Sequence, residues 1–307
     1  MPEYKHLKQH IFTLSSYKPI QWVIYSFKIR RFLRAHGPFL YHAPTYSSIL
    51  FPPRDVKVLV TVHDLMYRLI PNYFSSYKLI NILSSVVFDW FVKLNLYFST
   101  KIITISTTTK RDLASITDKK VEIVHHNCDY LYGSRDRSCE PDSIDAPYLI
   151  YVGNLRKQKN IPLLINAFKE SKKIYFRKLV IVSREHIDIN DKNIILLNNV
   201  GESELEKLYL NAESSVLPSF YEGFGFPVIE SLSCRTNVIC SDAGSLAEFP
   251  DEFVVFFQSN SHKQLLDILD NWPSYRKDLS RVSGYLNTYS SDNFFNNMNS
   301  IMDTLGH

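Results

Sequence analysis

The chain has 307 residues, a length typical of about two ordinary domains. Hydrophobic residues make up 45% and charged residues 21%, which excludes an intrinsically disordered or fibrous protein. With 35 basic and 31 acidic residues the formal net charge is +4, which does not indicate a dedicated nucleic-acid-binding protein. The four cysteines are too few for a disulfide framework and lack zinc-site spacing, which favours a reducing cytosol.

The N-terminal segment lacks the apolar core of a signal peptide. The longest apolar stretch, residues 79–96, is interrupted by Asn81, Asp89, Lys93 and Asn95, and we expect it to be too polar to span a membrane. These features predict a protein that is soluble or bound to a membrane peripherally.

Short runs rich in Val and Ile recur between segments of helical character, as expected for strands buried on both faces of a parallel sheet. The first half holds three such runs, at 57–62, 101–105 and 121–124. The second half holds six, at 148–152, 178–183, 194–197, 214–217, 237–241 and 253–257. This alternation predicts two α/β units, which the polar, proline-containing segment 135–147 would link. Ligands of such sheets bind beyond the carboxyl ends of the strands.

Segment 218–232 (PSFYEGFGFPVIESL) follows one of these strands and is the most informative part of the chain. Gly223 and Gly225 allow a sharp turn and a close approach of the backbone to a ligand. Pro227 suits the first turn of a helix, whose N-terminus would offer free N–H groups to an anion such as a pyrophosphate. Glu222 and Glu230 lie eight positions apart on the loop and the helix, a spacing that alone is common.

The segment resembles the E-x7-E motif of the retaining glycosyltransferases of family 4, the group 1 glycosyl transferases. Four further segments match motifs of that family in the expected order: 61–65 (TVHDL), 103–113 (ITISTTTKRDL), 152–160 (VGNLRKQKN) and 241–248 (SDAGSLAE). Together they cover about residues 40–305. The resemblance implies the GT-B fold, in which two Rossmann-like domains with parallel sheets face each other.

The resemblance also implies domain bounds. Residues 1–140 would form the N-terminal, acceptor-side domain, and residues 141–288 the C-terminal domain that binds the nucleotide-sugar donor. Residues 289–307 would form a final helix that crosses back to the first domain, and 289–305 carries apolar residues at helical spacing.

Two residues receive catalytic roles from the resemblance. His63 would reach the donor sugar from the first domain and help to place the acceptor, and Glu222 would hold hydroxyls of the donor sugar. The alternative for His63 is a packed, hydrogen-bonded histidine at the end of a buried strand.

The resemblance assigns donor binding to five residues. Glu230 would accept hydrogen bonds from ribose hydroxyls, and Lys159 would neutralise the diphosphate leaving group. Backbone N–H groups around Gly225 and Phe226 would contact the sugar or the phosphates, and Gly153 would let the loop that bears Lys159 pass close to them.

The activity implied is transfer of a hexose or deoxyhexose, for example mannose or rhamnose, with retention of configuration. The donor would be a nucleotide-diphosphate sugar, used as a co-substrate without any cofactor. The acceptor would be a glycan or a lipid-linked glycan in bacterial O-antigen or capsule biosynthesis. The resemblance implies that no metal is needed, and the lack of an Asp-x-Asp signature agrees with this. The protein would act in the cytoplasm, at or near the inner face of the cell membrane, and would not bind nucleic acid.

The sequence departs from the family pattern in two places. Gln158 stands where the family usually has an arginine, with Arg156 and Lys157 as neighbouring candidates for its role. Gly37 is the only glycine among the first 130 residues, so the usual glycine-rich loop after a first strand is missing. With its first strand predicted at 57–62, the first domain is expected to be incomplete. Either the start of the chain is assigned too late, or this is a shortened variant.

Several residues near these motifs have structural alternatives. Asp64 is predicted either to belong to the site or to cap the next helix, and Glu248 either to bind ligand or to cap a helix. Ser106 is predicted to be a helix N-cap. The histidines at 125–126 are interpreted as structural.

Two further hypotheses concern binding. The basic, aromatic segment 22–34 is either an ordinary domain helix or an amphipathic helix that lies on a membrane. The missing loop leaves open a non-catalytic glycosyltransferase-like scaffold subunit. A dehydrogenase is disfavoured, because Val228 stands where the dinucleotide fingerprint needs a third glycine or alanine.

Overall fold

The chain forms two α/β units, each built on one parallel sheet. A computed structural model describes residues 19–37, 40–46, 49–129, 144, 147–172 and 175–305. The elements of the first half are, in chain order, α1 (Pro19–His36), β1 (Leu40–Ala43), β2 (Lys57–Val62), α2 (Met66–Leu69), α3 (Lys78–Phe98), β3 (Lys101–Thr104), α4 (Thr107–Leu113) and β4 (Val121–Ile123). Within the described residues their strands form a four-stranded sheet in the order β1-β2-β3-β4, with every pair parallel.

The second half has a six-stranded parallel sheet in the order β10-β9-β8-β5-β6-β7. Its elements are β5 (Tyr148–Val152), α5 (Ile161–Glu170), β6 (Lys178–Val182), β7 (Ile194–Leu197), α6 (Glu202–Asn211), β8 (Ser214–Leu217), α7 (Phe226–Ser233), β9 (Asn237–Ser241), β10 (Val254–Phe257), α8 (His262–Asp270), α9 (Val282–Leu286) and α10 (Ser291–Thr304). Short 3₁₀ helices lie at Lys157–Lys159, Gly244–Glu248, Trp272–Ser274 and Asn287–Tyr289. Strand order reverses direction between β5 and β8, which creates a crevice at their carboxyl ends.

The predicted fold class, two α/β units with parallel sheets, is confirmed. All nine predicted strands are present, with bounds that agree to within one residue. The expectation that the first strand lies at 57–62 is wrong, because β1 precedes it. This strand is short, lies at the edge of the sheet and is mostly part-exposed, so it has no continuous apolar run. Apart from residues 144 and 147, the predicted linker 135–147 lies outside the described residues, as does the N-terminal segment 1–18.

Helix α10 packs against the first sheet although it follows the whole second unit in the chain. Its buried Met298 and Ile301 form one apolar cluster with Leu59, Ile103 and Val124 of the first unit. At its end, Lys101 Nζ donates a hydrogen bond to Thr304 Oγ1 at 2.8 Å. The last helix therefore ties the two units together.

Helix α1 contributes to the core of the first unit. Ile29 and Leu33 are buried against β2 and its neighbours, whereas Phe27, Lys28 and Arg31 are exposed on the opposite side. This packing is that of an ordinary domain helix with a basic outer face.

Helix α3 corrects the prediction for residues 79–96. Among the described helices it is long and apolar enough, by length and composition, to cross a membrane, so the judgement that the stretch is too polar was wrong. The prediction rested on four polar interruptions, Asn81, Asp89, Lys93 and Asn95. In the structure Asn95 is buried, and Asn81 and Asp89 are partly buried and hydrogen-bonded.

The two units are joined by a helix cap that crosses between them. The carboxylate of Glu248, from the second unit, accepts hydrogen bonds from the backbone N–H groups of Thr107 at 2.9 Å and Thr108 at 2.5 Å. Ser106 Oγ accepts from the N–H of Thr109, so it is the N-cap of α4 as predicted. Of the two alternatives for Glu248 the structure shows the cap, and the capped helix belongs to the other unit.

A second contact brings the units so close that no side chain fits between them. A Cβ atom added to Gly223 would lie 2.7 Å from the carbonyl oxygen of His63 and 2.8 Å from Cβ of Asp64. Beside this contact, Tyr221 donates a hydrogen bond to Asp112 Oδ2 at 2.5 Å. Gly223, which was predicted to allow close approach of the backbone to a ligand, is thus needed for close contact with the first unit.

Replacing Glu248 with Ala is expected to weaken the contact between the units, because two N–H groups of α4 lose their acceptor. The expected loss is about 1–2 kcal/mol of stability, as for a lost helix cap. Urea denaturation measures it, and amide hydrogen exchange at Thr107 and Thr108 should accelerate. Glu252→Ala is the matched control, since Glu252 is exposed close by in the chain. Equal urea midpoints for the two variants would contradict the proposed cap.

Candidate active site

The loops that follow β5 and β8 lie side by side at the reversal of strand order. The backbone N–H of Phe220, after β8, donates to the carbonyl of Gln158, after β5, at 2.7 Å. Because the two strands are adjacent and parallel, both loops emerge at the same edge of the sheet. Topology alone therefore places a ligand crevice where the predicted site residues lie.

A buried ion pair occupies this crevice. Lys159 Nζ lies 2.6 Å from Glu222 Oε1, with 14% and 9% of the two side chains exposed. Ser219 Oγ donates to the same carboxylate oxygen at 2.6 Å. An ammonium group has three N–H donors, so Lys159 keeps donors for a second partner after binding Glu222. The structure thus brings together one predicted catalytic residue and one predicted donor-binding residue.

Helix α7 begins four residues after Glu222 in the chain. Its N-cap residue is Gly225, with φ of 111°, and no side chain caps the helix. A Cβ atom there would lie 2.9 Å from a ring carbon of Phe249 and 3.0 Å from a methyl carbon of Leu246, so the left-handed conformation and the packing both require glycine. Phe226 is the first residue of the helix. The first turn of α7 can therefore present N–H groups and the positive end of the helix dipole.

Glu230 lies in the second turn of α7 rather than the first. Its Oε2 accepts a hydrogen bond from the hydroxyl of Tyr209, on α6, at 2.8 Å. Burial raises the pKa of Glu230, and the bond from Tyr209 offsets this only in part. The buried carboxylate can accept a further hydrogen bond, for example from a hydroxyl, which would offset more of the cost of its burial.

The loop after β5 carries the remaining predicted residues. Gly153 follows the last residue of β5, and its N–H donates to the carbonyl of Val182 at 3.0 Å. Gln158, which replaces the arginine of the family pattern, is buried, whereas Arg156 and Lys157 are exposed to solvent. Lys159 is thus the part-buried cation of this loop.

His63 enters the site from the first unit, directly after β2. Its Nε2 lies 2.7 Å from the carbonyl oxygen of Pro44, which can only accept, so Nε2 carries a proton. Its Nδ1 lies 3.2 Å from Nε2 of His126, and the two ring planes are parallel to within 5°, with centroids 5.2 Å apart. With the proton of His63 on Nε2, its Nδ1 accepts a hydrogen bond from His126 Nε2–H.

Asp64 makes the contact predicted for a capping residue. Its Oδ1 accepts from the N–H of Met66, the first residue of α2, at 2.9 Å. Burial raises the pKa of Asp64, and the charge of Glu222 adds to this, while the bond from Met66 and the charge of His63 act in the opposite direction. The proximity of Glu222 also places Asp64 at the border of the site.

His126 is a residue whose position the sequence analysis missed. Besides His63, its ring contacts Phe226 at 5.1 Å and Phe224 at 5.6 Å, so it bridges the first unit and the start of α7. Burial, followed by the charges of His63 and His125, lowers the pKa of His126 from 6.5 to about 4. The ring is therefore neutral at neutral pH. The sequence pattern could have indicated this position. His126 follows β4, and the carboxyl ends of the parallel strands β4 and β2 lie at the same edge of the sheet.

Comparison with protein families gives two matches that together span most of the chain. A model described as Glycosyltransferase Family 4 matches residues 2–129, and one described as Glycosyl transferases group 1 matches residues 138–285. The boundary between the matches falls close to the gap between the two sheets.

Individual relatives agree with these matches. The chain is 24% identical over 297 residues to the O-antigen chain mannosyltransferase RfbU of Salmonella typhimurium, an alignment that covers 91% of this chain and 78% of that protein. It is 30% identical over 149 residues to the N-acetylgalactosamine-N,N'-diacetylbacillosaminyl-diphospho-undecaprenol 4-alpha-N-acetylgalactosaminyltransferase of Campylobacter jejuni, which covers 45% of this chain and 40% of the relative.

A solved structure shows the same fold. Sucrose-phosphate synthase from Thermosynechococcus elongatus superposes with a TM-score of 0.72 at 17% identity, over 93% of this chain and 78% of that one. The predicted GT-B fold is thereby confirmed.

The buried position of His126 leads to a prediction on pH. Between about pH 6.5 and about pH 4 the unfolded chain binds a proton at His126 that the folded chain does not, so stability falls as pH falls through this window. His126→Phe keeps a ring that can stack and removes this titration. The free energy of unfolding of this variant, measured with urea at about pH 7 and about pH 5, should fall less than that of the unchanged protein.

His186→Phe is the control for this experiment, because His186 is exposed. It should show the same loss as the unchanged protein. An identical loss in His126→Phe would show that His126 is accessible to protons in the folded state.

Proposed function

The chain belongs to the group 1 glycosyl transferases of family 4, and from this premise we propose a retaining hexosyltransferase of bacterial surface polysaccharide biosynthesis. Its donor is a nucleotide-diphosphate sugar that carries a hexose or deoxyhexose such as mannose or rhamnose. Its acceptor is a glycan, free or lipid-linked. The mannosyltransferase relative supports the hexose, and the undecaprenol named in the Campylobacter relative supports a lipid-linked acceptor.

The observation that carries this proposal is that the ammonium group of Lys159 is bound to Glu222, which lies in the loop that leads directly into α7, a helix whose start has no side-chain cap. Cleavage of the bond between the anomeric carbon and the diphosphate leaves positive charge on the sugar and negative charge on the phosphate. Lys159 supplies a fixed cation, and the start of α7 supplies N–H groups, for that developing negative charge. Donors preorganised for a leaving group are commonly the largest single contribution to catalysis.

The other residues complete the proposed binding of the donor. Glu230 accepts hydrogen bonds from the ribose hydroxyls, because a carboxylate has acceptor sites beyond the one that binds Tyr209. Gly225 and Phe226 contribute backbone N–H groups to the sugar or phosphates, and Gly153 lets the loop with Lys159 pass close to the phosphates.

Glu222 and His63 act on the donor sugar in this proposal. One oxygen of Glu222 is occupied by Lys159 and Ser219, and the other is offered to sugar hydroxyls. The Nε2–H of His63 leaves the carbonyl of Pro44 and donates a hydrogen bond to the donor sugar, on the side from which the acceptor approaches. His126 keeps the proton of His63 on Nε2 by donating to Nδ1, and so acts as a positioning residue.

The reaction is proposed to need neither a metal ion nor a cofactor, since Lys159 and the helix start take up the charge of the leaving group. The protein would work in the cytoplasm, at the inner face of the membrane where lipid-linked acceptors are held.

A donor assay tests the activity. The purified chain is incubated with UDP-, GDP- and dTDP-hexoses in the presence of EDTA, and release of the nucleotide diphosphate is measured. One donor is expected to turn over with water as the acceptor, and with no effect of EDTA. Proton NMR of the sugar first released, before it mutarotates, is expected to show the retained anomeric configuration. An inverted product would contradict retention, and a rate restored by magnesium would contradict metal independence. Absence of nucleotide binding by calorimetry would instead favour the non-catalytic scaffold.

Replacing Lys159 with Met should lower kcat/KM by about 10²–10³, the usual effect of removing one preorganised donor. Lys159→Arg retains the charge and should recover part of the rate. The matched control is Lys157→Met, on the same 3₁₀ helix but exposed, which should keep wild-type rates.

The Lys159 variant also leaves Glu222 as an unpaired buried charge, which destabilises the fold. The double variant Lys159→Met/Glu222→Gln removes both charges, and its thermal unfolding separates a loss of fold from a loss of catalysis. A Lys159→Met variant that turns over at the wild-type rate would show that the site is assigned wrongly.

A further inference from the structure

The outward face of α3 is a continuous apolar stripe. Leu79, Leu83, Val86, Trp90 and Tyr97 follow one another at intervals of three, four or seven residues, so they lie along one side of the helix. Their exposed fractions are 79%, 64%, 62%, 62% and 72%. Ile80, Ile82 and Val87 flank the stripe and are also exposed. Single exposed apolar residues are common on proteins, whereas a contiguous patch marks an interaction surface.

Three polar residues of the same helix, Asn81, Asp89 and Asn95, face the first unit, whereas its two lysines are exposed. Asn81 Oδ1 accepts the N–H of Phe74 at 3.0 Å, and Asn95 is fully buried. Asp89 accepts a hydrogen bond from the hydroxyl of Tyr67 at 3.0 Å and lies 3.2 Å from Nε of Arg68. These three polar side chains thus make their contacts inside the first unit, and the apolar side chains of the stripe are exposed.

The helix lies on the first unit and does not cross a membrane in this fold. Phe91, Val92, Asn95 and Leu96 are buried on its inner side, and Val92 and Leu96 belong to the core of the first sheet. A helix packed in this way on one side can bury only its other side in a lipid layer.

The charges around the stripe select an anionic partner. Residues 66–98 contain three basic side chains and one acidic side chain, which gives +2 by 3 − 1, and the charges of Asp118 and Lys119 beside Trp90 and Tyr97 cancel. The acid, Asp89, is neutralised by Arg68 and by Lys93 at 2.9 Å. Lys78 is exposed at the start of α3 beside the exposed Tyr77. A second copy of this chain would bring these like charges together across a two-fold axis, which disfavours self-association.

The aromatic residues of the patch are those that favour the boundary between lipid and water. Tyr73 and Tyr77 lie before and at the start of the stripe, and Trp90 and Tyr97 lie along it. Tyr and Trp concentrate at membrane interfaces because their rings are apolar at one end and polar at the other. Lysine side chains beside them can reach anionic headgroups.

We propose that the outward face of α3 binds the surface of a bilayer rich in anionic lipid, with the helix lying in the plane of the interface. The surface is separate from the candidate active site and does not depend on which donor the enzyme uses.

The direction of α3 connects this surface with the site. Thr100, just after α3, exchanges hydrogen bonds with Val58 near the start of β2, so the C-terminus of the helix lies at the amino edge of the sheet. The start of α3, with Leu79 and Leu83, therefore points toward the carboxyl edge, where His63 lies. Membrane binding through α3 would hold that edge near the bilayer. The idea that a lipid-linked acceptor binds there rests on the proposed function.

Vesicle flotation of the full chain tests the surface without any sugar donor. Vesicles of phosphatidylcholine mixed with phosphatidylglycerol should carry the protein at low salt, and pure phosphatidylcholine vesicles should carry much less. The double variant Leu83→Ser/Trp90→Ser should partition at least about tenfold less, since burial of each large apolar side chain is lost. Leu79→Ser/Val86→Ser provides a second, independent pair, and circular dichroism checks that both pairs fold.

The matched control is Ile24→Ser/Phe27→Ser on α1, the other basic helix with exposed apolar residues. It should float like the unchanged protein. As a second readout, Trp90 fluorescence should shift to the blue on anionic vesicles, and Trp90→Phe should lose that shift while still floating.

Three outcomes would overturn the proposal. These are no flotation of the unchanged protein, equal flotation of the α3 variants, or a larger loss from the α1 pair. A dimer that dissociates in the α3 variants would show that a second copy covers the stripe instead. Donor turnover with failed flotation would leave the proposed function intact, so the two failures can be told apart.

Discussion

The ion pair between Lys159 and Glu222 joins two loops that are distant in the chain and neighbours in space. Both side chains are largely buried, so each charge depends on the other, and removing either partner alone is costly. The carboxylate, itself fixed by Ser219, holds the ammonium in one place before any ligand arrives. A cation fixed in this way does not have to reorganise when an anion develops beside it, which is the basis of electrostatic catalysis.

This pair could form only because strand order reverses between β5 and β8. The reversal opens a crevice at the carboxyl ends of these strands, and the loops after them supply Lys159 and Glu222. Gly223, one residue beyond the carboxylate, then permits contact with the backbone of His63. The cap of α4 by Glu248 fixes the same approach a short distance away. The position of the first unit relative to the ion pair thus rests on backbone contacts, which leave little freedom of adjustment.

Much of the fold could be predicted from the sequence because central parallel strands are buried on both faces and read as unbroken apolar runs. This pattern did not predict β1, because its position at the edge of the sheet leaves residues such as His42 exposed. It also failed for α3, where interruption by polar residues was taken to make the stretch too polar to span a membrane. Asp89 is instead neutralised by Arg68, and only the folded chain shows which side of the helix the polar residues occupy.

The candidate site was predictable where local motifs carry it, and not where it depends on contacts between the units. Lys159, Glu222 and the start of α7 follow from segments that resemble family motifs. For Glu248 the sequence left two alternatives, since the helix that it caps belongs to the other half of the chain. His126 was interpreted as structural because nothing in its own segment refers to His63, which lies 63 residues earlier.

The two units contribute different chemistry to the crevice. The low pKa of His126 keeps its ring uncharged at neutral pH, so His126 offers a hydrogen bond without adding a second fixed charge there. The positive charge comes from Lys159 of the second unit, together with the dipole of α7. Attraction for an anion is thereby concentrated at the second sheet. A cationic His126 would still donate from Nε2 to His63, but its charge would spread that attraction across the crevice.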